Sequence, residues 1–201
     1  FFIYRLFFQI FSKIAMKLAV LIKQVPDTQN VRMDEESGTV LRSSSDAVLN
    51  PLDAYALQAA LLLKEQNPQI SIYAFSMGPP SAEKALREVL ALGADEAVLI
   101  SDRACAGSDT LATAVILAAA LEKFAPFQLV LCGERATDGD TGQVGPELAA
   151  KLNFSLATFV NELSHTESGL KVERKSEYAS EEWLLKYPAL VTVTKAIGEI
   201  G

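Results

Sequence analysis

Four apolar runs constrain this chain more than anything else in it: KLAVLIKQ (Lys17–Gln24), ISIYAFSM (Ile70–Met77), EAVLIS (Glu96–Ser101) and FQLVLC (Phe127–Cys132). Each is short and rich in leucine or β-branched residues, and the apolar side chains run on instead of alternating, as in strands buried on both faces. The stretches between them have helical spacing. In NPLDAYALQAALLLKEQNP, Leu52, Tyr55, Ala56, Ala59, Ala60 and Leu63 share one face, and Asn50 followed by Pro51 puts an N-cap before a proline at the first helical position. Ser81–Leu92, closed by Gly93, predicts a second helix, and the alanine-rich Thr110–Lys123 a third. Strand and helix alternate at roughly 25–30 residues per unit, which predicts a mostly parallel, doubly wound sheet covered by helices on both faces. The expected fold class is α/β.

The flanks behave differently. Residues 1–15, FFIYRLFFQIFSKIA, hold five of the ten phenylalanines. Arg5, Gln9, Ser12 and Lys13 interrupt the run, which is too short for the roughly 20 apolar residues of a membrane span and lacks the basic start of a signal peptide. It reads as a leader outside the domain, either upstream translated sequence or an interfacial anchor, and residues 16–201 as a single domain. Val31–Asp46 is polar and predicts a long loop or a small hairpin, VRMD then TVLR around Glu36-Ser37-Gly38. After Leu152 the pieces ATFVNELS, GLKVERK, EWLLKY and ALVTVTKA predict a β-rich segment, antiparallel at the sheet edge or layered beside it. The ending AIGEIG, straight after an apolar strand-like run, suggests truncation.

Composition removes several function classes. A net charge of −7 argues against nucleic acid, whose phosphates need clustered Lys and Arg. Cys105 and Cys132 are the only cysteines and His165 the only histidine, which disfavours zinc clusters and histidine-dependent metal catalysis and suits a reducing, cytoplasmic setting with no membrane partner. Cys132 reads as a small buried residue, His165 as an exposed member of the turn HTESG, and the adjacent pairs Glu35-Glu36 and Glu181-Glu182 as solvated. No nucleophile and base set emerges, so no catalytic residue is assigned.

Ligands of open parallel sheets bind at the carboxyl ends of the strands. The loops there are Lys23–Asp27 after strand one, Asn50-Pro51-Leu52-Asp53 opening the first helix, Ser76–Pro79 after strand two with Met77, and Gly133–Pro146 after strand four. In the last, Gly133, Gly139, Gly142 and Gly145 permit close approach or positive φ, and Pro146 starts a helix at ELAAKL. Glycine-rich backbone leading into a helix N-terminus is phosphate-binding geometry, although four glycines can also simply make a tight turn. Asp138 and Asp140 would repel a diphosphate, so they are expected to cap amides or hold ribose hydroxyls, leaving phosphate to the amides around Gly142–Gly145. Lys23 reads as a solvated strand end.

These same loops carry a family resemblance. VLIKQVPDT (Val20–Thr28), NPLDAYALQAAL (Asn50–Leu61), ALGADEAVLISD (Ala91–Asp102) and LVLCGERATDGDTGQVGPELAAKL (Leu129–Leu152), in that order, are similar to the β subunit of electron transfer flavoprotein. The resemblance implies an adenine-nucleotide-binding α/β fold, a bound AMP, and a heterodimer with an α subunit that holds most of a shared FAD and shuttles electrons from flavin-dependent dehydrogenases to an acceptor. By position, AMP contacts would come from Leu21, Asn50, Pro51, Leu52, Asp53, Met77 and the loop residues Gly133, Asp138, Asp140, Thr141, Gly142, Gln143, Val144, Gly145 and Pro146. A second family branch places another FAD where AMP sits and accepts hydride from NADH. The chain departs from the pattern at Glu177-Tyr178-Ala179-Ser180, which replaces an acidic glycine-containing turn. Ile197-Gly198-Glu199-Ile200-Gly201 stands where the family reads L-N-E-P-R, so the dehydrogenase-docking loop and the arm that embraces the α subunit are expected to be missing. From other function classes, an ATP-dependent enzyme or nucleotide sensor on this fold is disfavoured because Arg135 is the only basic residue of the Gly133–Pro146 loop, and a purely structural protein leaves the convergent loops without a reason.

Overall fold

The structure, a computed structural model, describes residues 16–27, 32–33, 40–41 and 47–198. Residues 1–15, the tip of the 31–46 hairpin and the end of AIGEIG lie outside the described residues.

Six parallel strands form the central sheet, in the spatial order β7 (Glu96–Ile100), β6 (Ser71–Met77), β1 (Lys17–Leu21), β8 (Leu129–Gly133), β13 (Ala189–Val193), β9 (Ser155–Val160). β1 pairs with β6 through Lys17↔Ser71 to Leu21↔Phe75 and with β8 through Leu18↔Leu129 to Val20↔Leu131. Both neighbours run parallel to it, and the chain leaves β1 toward one edge before crossing back to β8, so the winding reverses between β1 and β8. That reversal splays the connections apart at the strand ends and opens a crevice there.

Side-chain alternation divides the core in two. Leu18, Val20 and Ile72 face α1 (Pro51–Gln66) and α2 (Glu83–Ala91), whereas Ala19, Leu21, Phe75, Val130 and Cys132 face α3 (Thr110–Phe124) and α4 (Val144–Leu152). The sheet is thus covered on both sides, which is why its strands are continuous apolar runs. The second predicted helix is preceded by a 3₁₀ turn, Pro80–Ala82. KLAVLIKQ is broken at Ile22-Lys23: β1 ends at Leu21, and β2 (Gln24–Pro26) pairs antiparallel with β5 (Ala47–Leu49). β3 (Arg32–Met33) and β4 (Val40–Leu41) are the paired ends of the expected hairpin.

The C-terminal segment corrects one expectation. Only β10 (Glu162–Thr166), β11 (Gly169–Lys175) and β12 (Ser180–Leu185) form an antiparallel layer, which packs Leu170, Val172 and Leu185 into the α1-side core. β9 and β13 instead join the main sheet in parallel, with β13 inserted between β8 and β9. The physical reason is burial: every residue of ALVTV in β13 is buried, and such a strand belongs inside a doubly covered sheet. His165 lies on β10 and not in the turn, exposed, with Nδ1 2.9 Å from the hydroxyl of Tyr187.

Candidate functional site

The crevice at the carboxyl ends of β1, β6 and β8 has a volume of about 1230 Å³. Its floor is apolar because β1, β6 and β8 turn Leu21, Phe75, Met77 and Cys132 toward the α3–α4 face, where Leu117 of α3 joins them. Burial, with the buried carboxylate of Asp53 nearby, pushes the Cys132 thiol far above the ordinary thiol range, so it is an inert apolar surface here.

One wall is built by Asp53, in the first turn of α1. Its Oδ2 accepts the amide of Lys23 at 2.8 Å and its Oδ1 the amide of Gly133 at 3.2 Å, so a single carboxylate ties the ends of β1 and β8 to the helix start. Burial is the largest influence and pushes its pKa up to about 7, against the amides of Lys23 and Gly133, the Asn50 side chain and the Lys23 charge, which favour ionisation. A ribose hydroxyl at Asp53 would have to share these oxygens. Asn50 is fully buried at the N-cap position, but its side chain makes no capping hydrogen bond, contrary to the sequence reading. Nδ2 donates to the Arg135 carbonyl at 3.0 Å and Oδ1 accepts the Thr137 amide at 3.3 Å. Asn50 therefore fastens the β8 loop to α1, because that loop passes close enough to compete for its amide group.

The Gly133–Pro146 loop forms the opposite wall. A Cβ on Gly133 would lie 2.7 Å from the Leu52 carbonyl carbon, and one on Gly145 would lie 2.9 Å from Thr192 Cγ2 and 3.0 Å from Cys132 Sγ, so both glycines permit close packing. Gly142 has φ +62° and Asp140 φ +53°. Gly139 neither takes a positive φ nor has a neighbour within 4 Å of a Cβ, so the freedom expected of it is not used. Asp138 accepts the Gly139 amide at 2.8 Å and pairs with Lys23 Nζ, which lines the crevice, at 2.7 Å. Partial burial opposes its ionisation, but the Lys23 hydrogen bond and charge and the Gly139 amide outweigh it and hold the carboxyl below the usual range. Lys23, just beyond the end of β1, is solvent-exposed as the sequence suggested, and it is also ion-paired. Asp140 pairs with Arg135 Nε at 2.7 Å.

At the back, Thr110 Oγ1, on the first residue of α3, lies 3.3 Å from Gln143 Oε1 and 3.1 Å from Glu147 Oε1, joining the N-termini of α3 and α4. Asp109 caps α3 by accepting the Ala112 amide at 2.8 Å. Gln143, at the N-cap of α4, gives that helix no side-chain cap, so its first amides are left for another acceptor. Pro146 in the same turn removes an N–H that the helix does not use.

Of the positions singled out from sequence, Leu21, Asp53, Met77, Gly133 and Asp140–Gly145 line the crevice together. Asn50, Pro51, Leu52, Asp138 and Pro146 do not line it. The sequence reading missed the wall after β7, where Ser101, Asp102, Arg103, Cys105 and Gly107–Thr110 line the crevice. The rule that selected the other loops would have found it, since EAVLIS ends there and Asp109 precedes a helix. Among the described residues no His, Cys, Asp and Glu cluster suits a metal, and no helix is long and apolar enough to cross a membrane.

Comparison with known proteins adds identity to this geometry. The electron transfer flavoprotein domain profile matches residues 37–200. The chain is 43 % identical over 184 residues to the caffeyl-CoA reductase-Etf complex subunit CarD of Acetobacterium woodii, covering 92 % of this chain and 70 % of the relative. It is 40 % identical over 190 residues to the electron transfer flavoprotein subunit beta of Megasphaera elsdenii, again covering 92 % and 70 %. To the protein FixA of Azorhizobium caulinodans it is 40 % identical over 192 residues, 92 % of this chain and 68 % of the relative.

Proposed function

The chain belongs to the electron transfer flavoprotein β-subunit family, and on that premise we propose that it holds AMP in the crevice between β1 and β8 and pairs with an α subunit carrying FAD. Electron transfer is the activity of the family. The observation that carries the nucleotide reading is the convergence, on an apolar floor, of an uncapped helix N-terminus and a positive-φ glycine. An adenine base fits the floor of Leu21, Phe75, Met77 and Leu117, and a phosphate fits the free amides of the first turn of α4, where the helix dipole also favours an anion.

The flavin supplies the redox chemistry when bound. The residues of this chain bind and orient. Asp53 and Asn50 hold the β1 and β8 ends against α1 so that the crevice keeps its shape, and the inert Cys132 thiol leaves no competing nucleophile on the floor. Electrons would enter from flavin-dependent dehydrogenases docked on the heterodimer.

One observation favours a second reading, FAD in place of AMP with hydride accepted from NADH: the crevice exceeds the roughly 300–1,000 Å³ of ordinary small-molecule pockets. Co-expression of the chain with its α subunit, followed by heat release and identification of small molecules, separates the readings. AMP with one FAD per heterodimer supports the first, and two FAD the second. ATP would point to nucleotide-dependent chemistry instead, and release of no nucleotide would overturn both readings.

A further inference from the structure

We propose that Arg103 is the side chain through which the crevice grips the phosphate end of its nucleotide and so prefers phosphorylated adenosine to adenosine. The inference rests on the nucleotide reading above and adds a residue from the wall that follows β7.

Three cations line the crevice: Lys23, Arg103 and Arg135. Lys23 is held by Asp138 at 2.7 Å, and Arg135 by Asp140 at 2.7 Å with Glu134 at 3.7 Å. Their charges are already answered. The guanidinium of Arg103 is exposed and, among the described residues, makes neither a hydrogen bond nor an ion pair, although Asp102 and Asp109 are close in sequence. Those two carboxylates are turned to backbone amides, Asp102 Oδ1 accepting from Ala104 at 2.9 Å and Asp109 Oδ1 from Ala112 at 2.8 Å. The surrounding wall is acidic overall, so a phosphate dianion entering it needs a cation that no carboxylate has claimed.

The backbone under Arg103 is fixed in advance. Residues 103–105 form a 3₁₀ turn capped by Asp102, the Ala106 amide donates to the Arg103 carbonyl at 3.1 Å, and Ser108 Oγ donates to the Cys105 carbonyl at 2.8 Å. Gly107, with φ +74°, then turns the chain into α3. A guanidinium on such a loop offers paired N–H donors that match phosphate oxygens, and the first residues of α4, Val144 and Gly145, line the same crevice. Lys23 and Arg135 would first have to leave their aspartates.

The test uses the full heterodimer stripped of nucleotide and titrated calorimetrically with AMP and with adenosine, for wild type, Arg103→Gln and Arg103→Lys. Circular dichroism and melting temperature should match wild type in both variants, since the side chain has no partner to lose. Arg103→Gln should weaken AMP by about tenfold or more, leave adenosine unchanged and flatten the salt dependence of AMP binding. Arg103→Lys should retain part of the preference. An AMP-to-adenosine ratio in Arg103→Gln equal to that of wild type would overturn the assignment while leaving the nucleotide reading intact. Wild type that binds neither compound would remove both.

Discussion

Asp53 Oδ1 lies 3.2 Å from the Gly133 amide that it accepts, and a Cβ placed on Gly133 would stand 2.8 Å from that same oxygen. The hydrogen bond and the absence of a side chain depend on each other: the end of β8 can reach the α1 carboxylate only as glycine.

Gly133→Ala should therefore destabilise the protein by about 1–3 kcal/mol, since the Leu52 backbone 2.7–2.8 Å from the new Cβ must move. Gly139→Ala, with open space around its Cβ, should change stability by no more than about 1 kcal/mol and in the stabilising direction. Denaturant titration of the two variants checks the contrast, and equal effects would mean that the close approach at Gly133 is unimportant.

The buried Asp53 makes stability depend on pH. Its folded pKa of about 7 stands above the ordinary 3.8, so the folded state binds the proton more tightly than the unfolded chain. The contribution is complete below about pH 4, declines as pH rises and has gone above about pH 7, a loss of up to roughly 4 kcal/mol. Asp53→Asn should remove this decline. It should also leave one of the Lys23 and Gly133 amides facing an NH₂ group, so apo stability falls. Unfolding free energies of both proteins from pH 4 to 8 decide it; parallel curves would relieve Asp53 of the role.

Asn50→Ala tests which partner Asn50 serves. Loss of an N-cap would loosen the first turn of α1, whereas loss of the observed bonds would free the Arg135 carbonyl and the Thr137 amide. The expected result is a loss of about 1–3 kcal/mol with faster hydrogen exchange at Thr137 and little change in the α1 amides. Faster exchange confined to α1 would restore the capping role.

Gly142→Val should abolish nucleotide retention while the sheet stays folded. At φ +62° a β-branched residue is strained by roughly 1–2 kcal/mol, and its Cβ would sit 3.3 Å from the Glu134 carbonyl, so the loop that leads into α4 must rearrange. Nucleotide content of the purified heterodimer is the measurement, and unchanged content would remove this loop from the site.

Much of the architecture was legible because it is local. A continuous run such as LVLC in β8, or Leu52, Ala56, Ala59 and Leu63 at helical spacing, carries its own periodicity, and the alternation of such units predicts a doubly wound sheet whose strand ends open a crevice. What the sequence by itself determined was therefore the fold class, the ends of the strands as the side of the sheet that opens a crevice, and membership of a family with four ordered motifs. Tertiary structure alone decided that β13 enters between β8 and β9, that the Asn50 side chain serves the β8 loop in place of its own helix, and that Lys23 and Arg135 are ion-paired while Arg103 is not. Each of these is a choice among partners far apart in sequence. A side chain's residue type fixes what it can bond to, but which donor or carboxylate comes within 3 Å of it is set only when the strands have paired and the loops have closed over them.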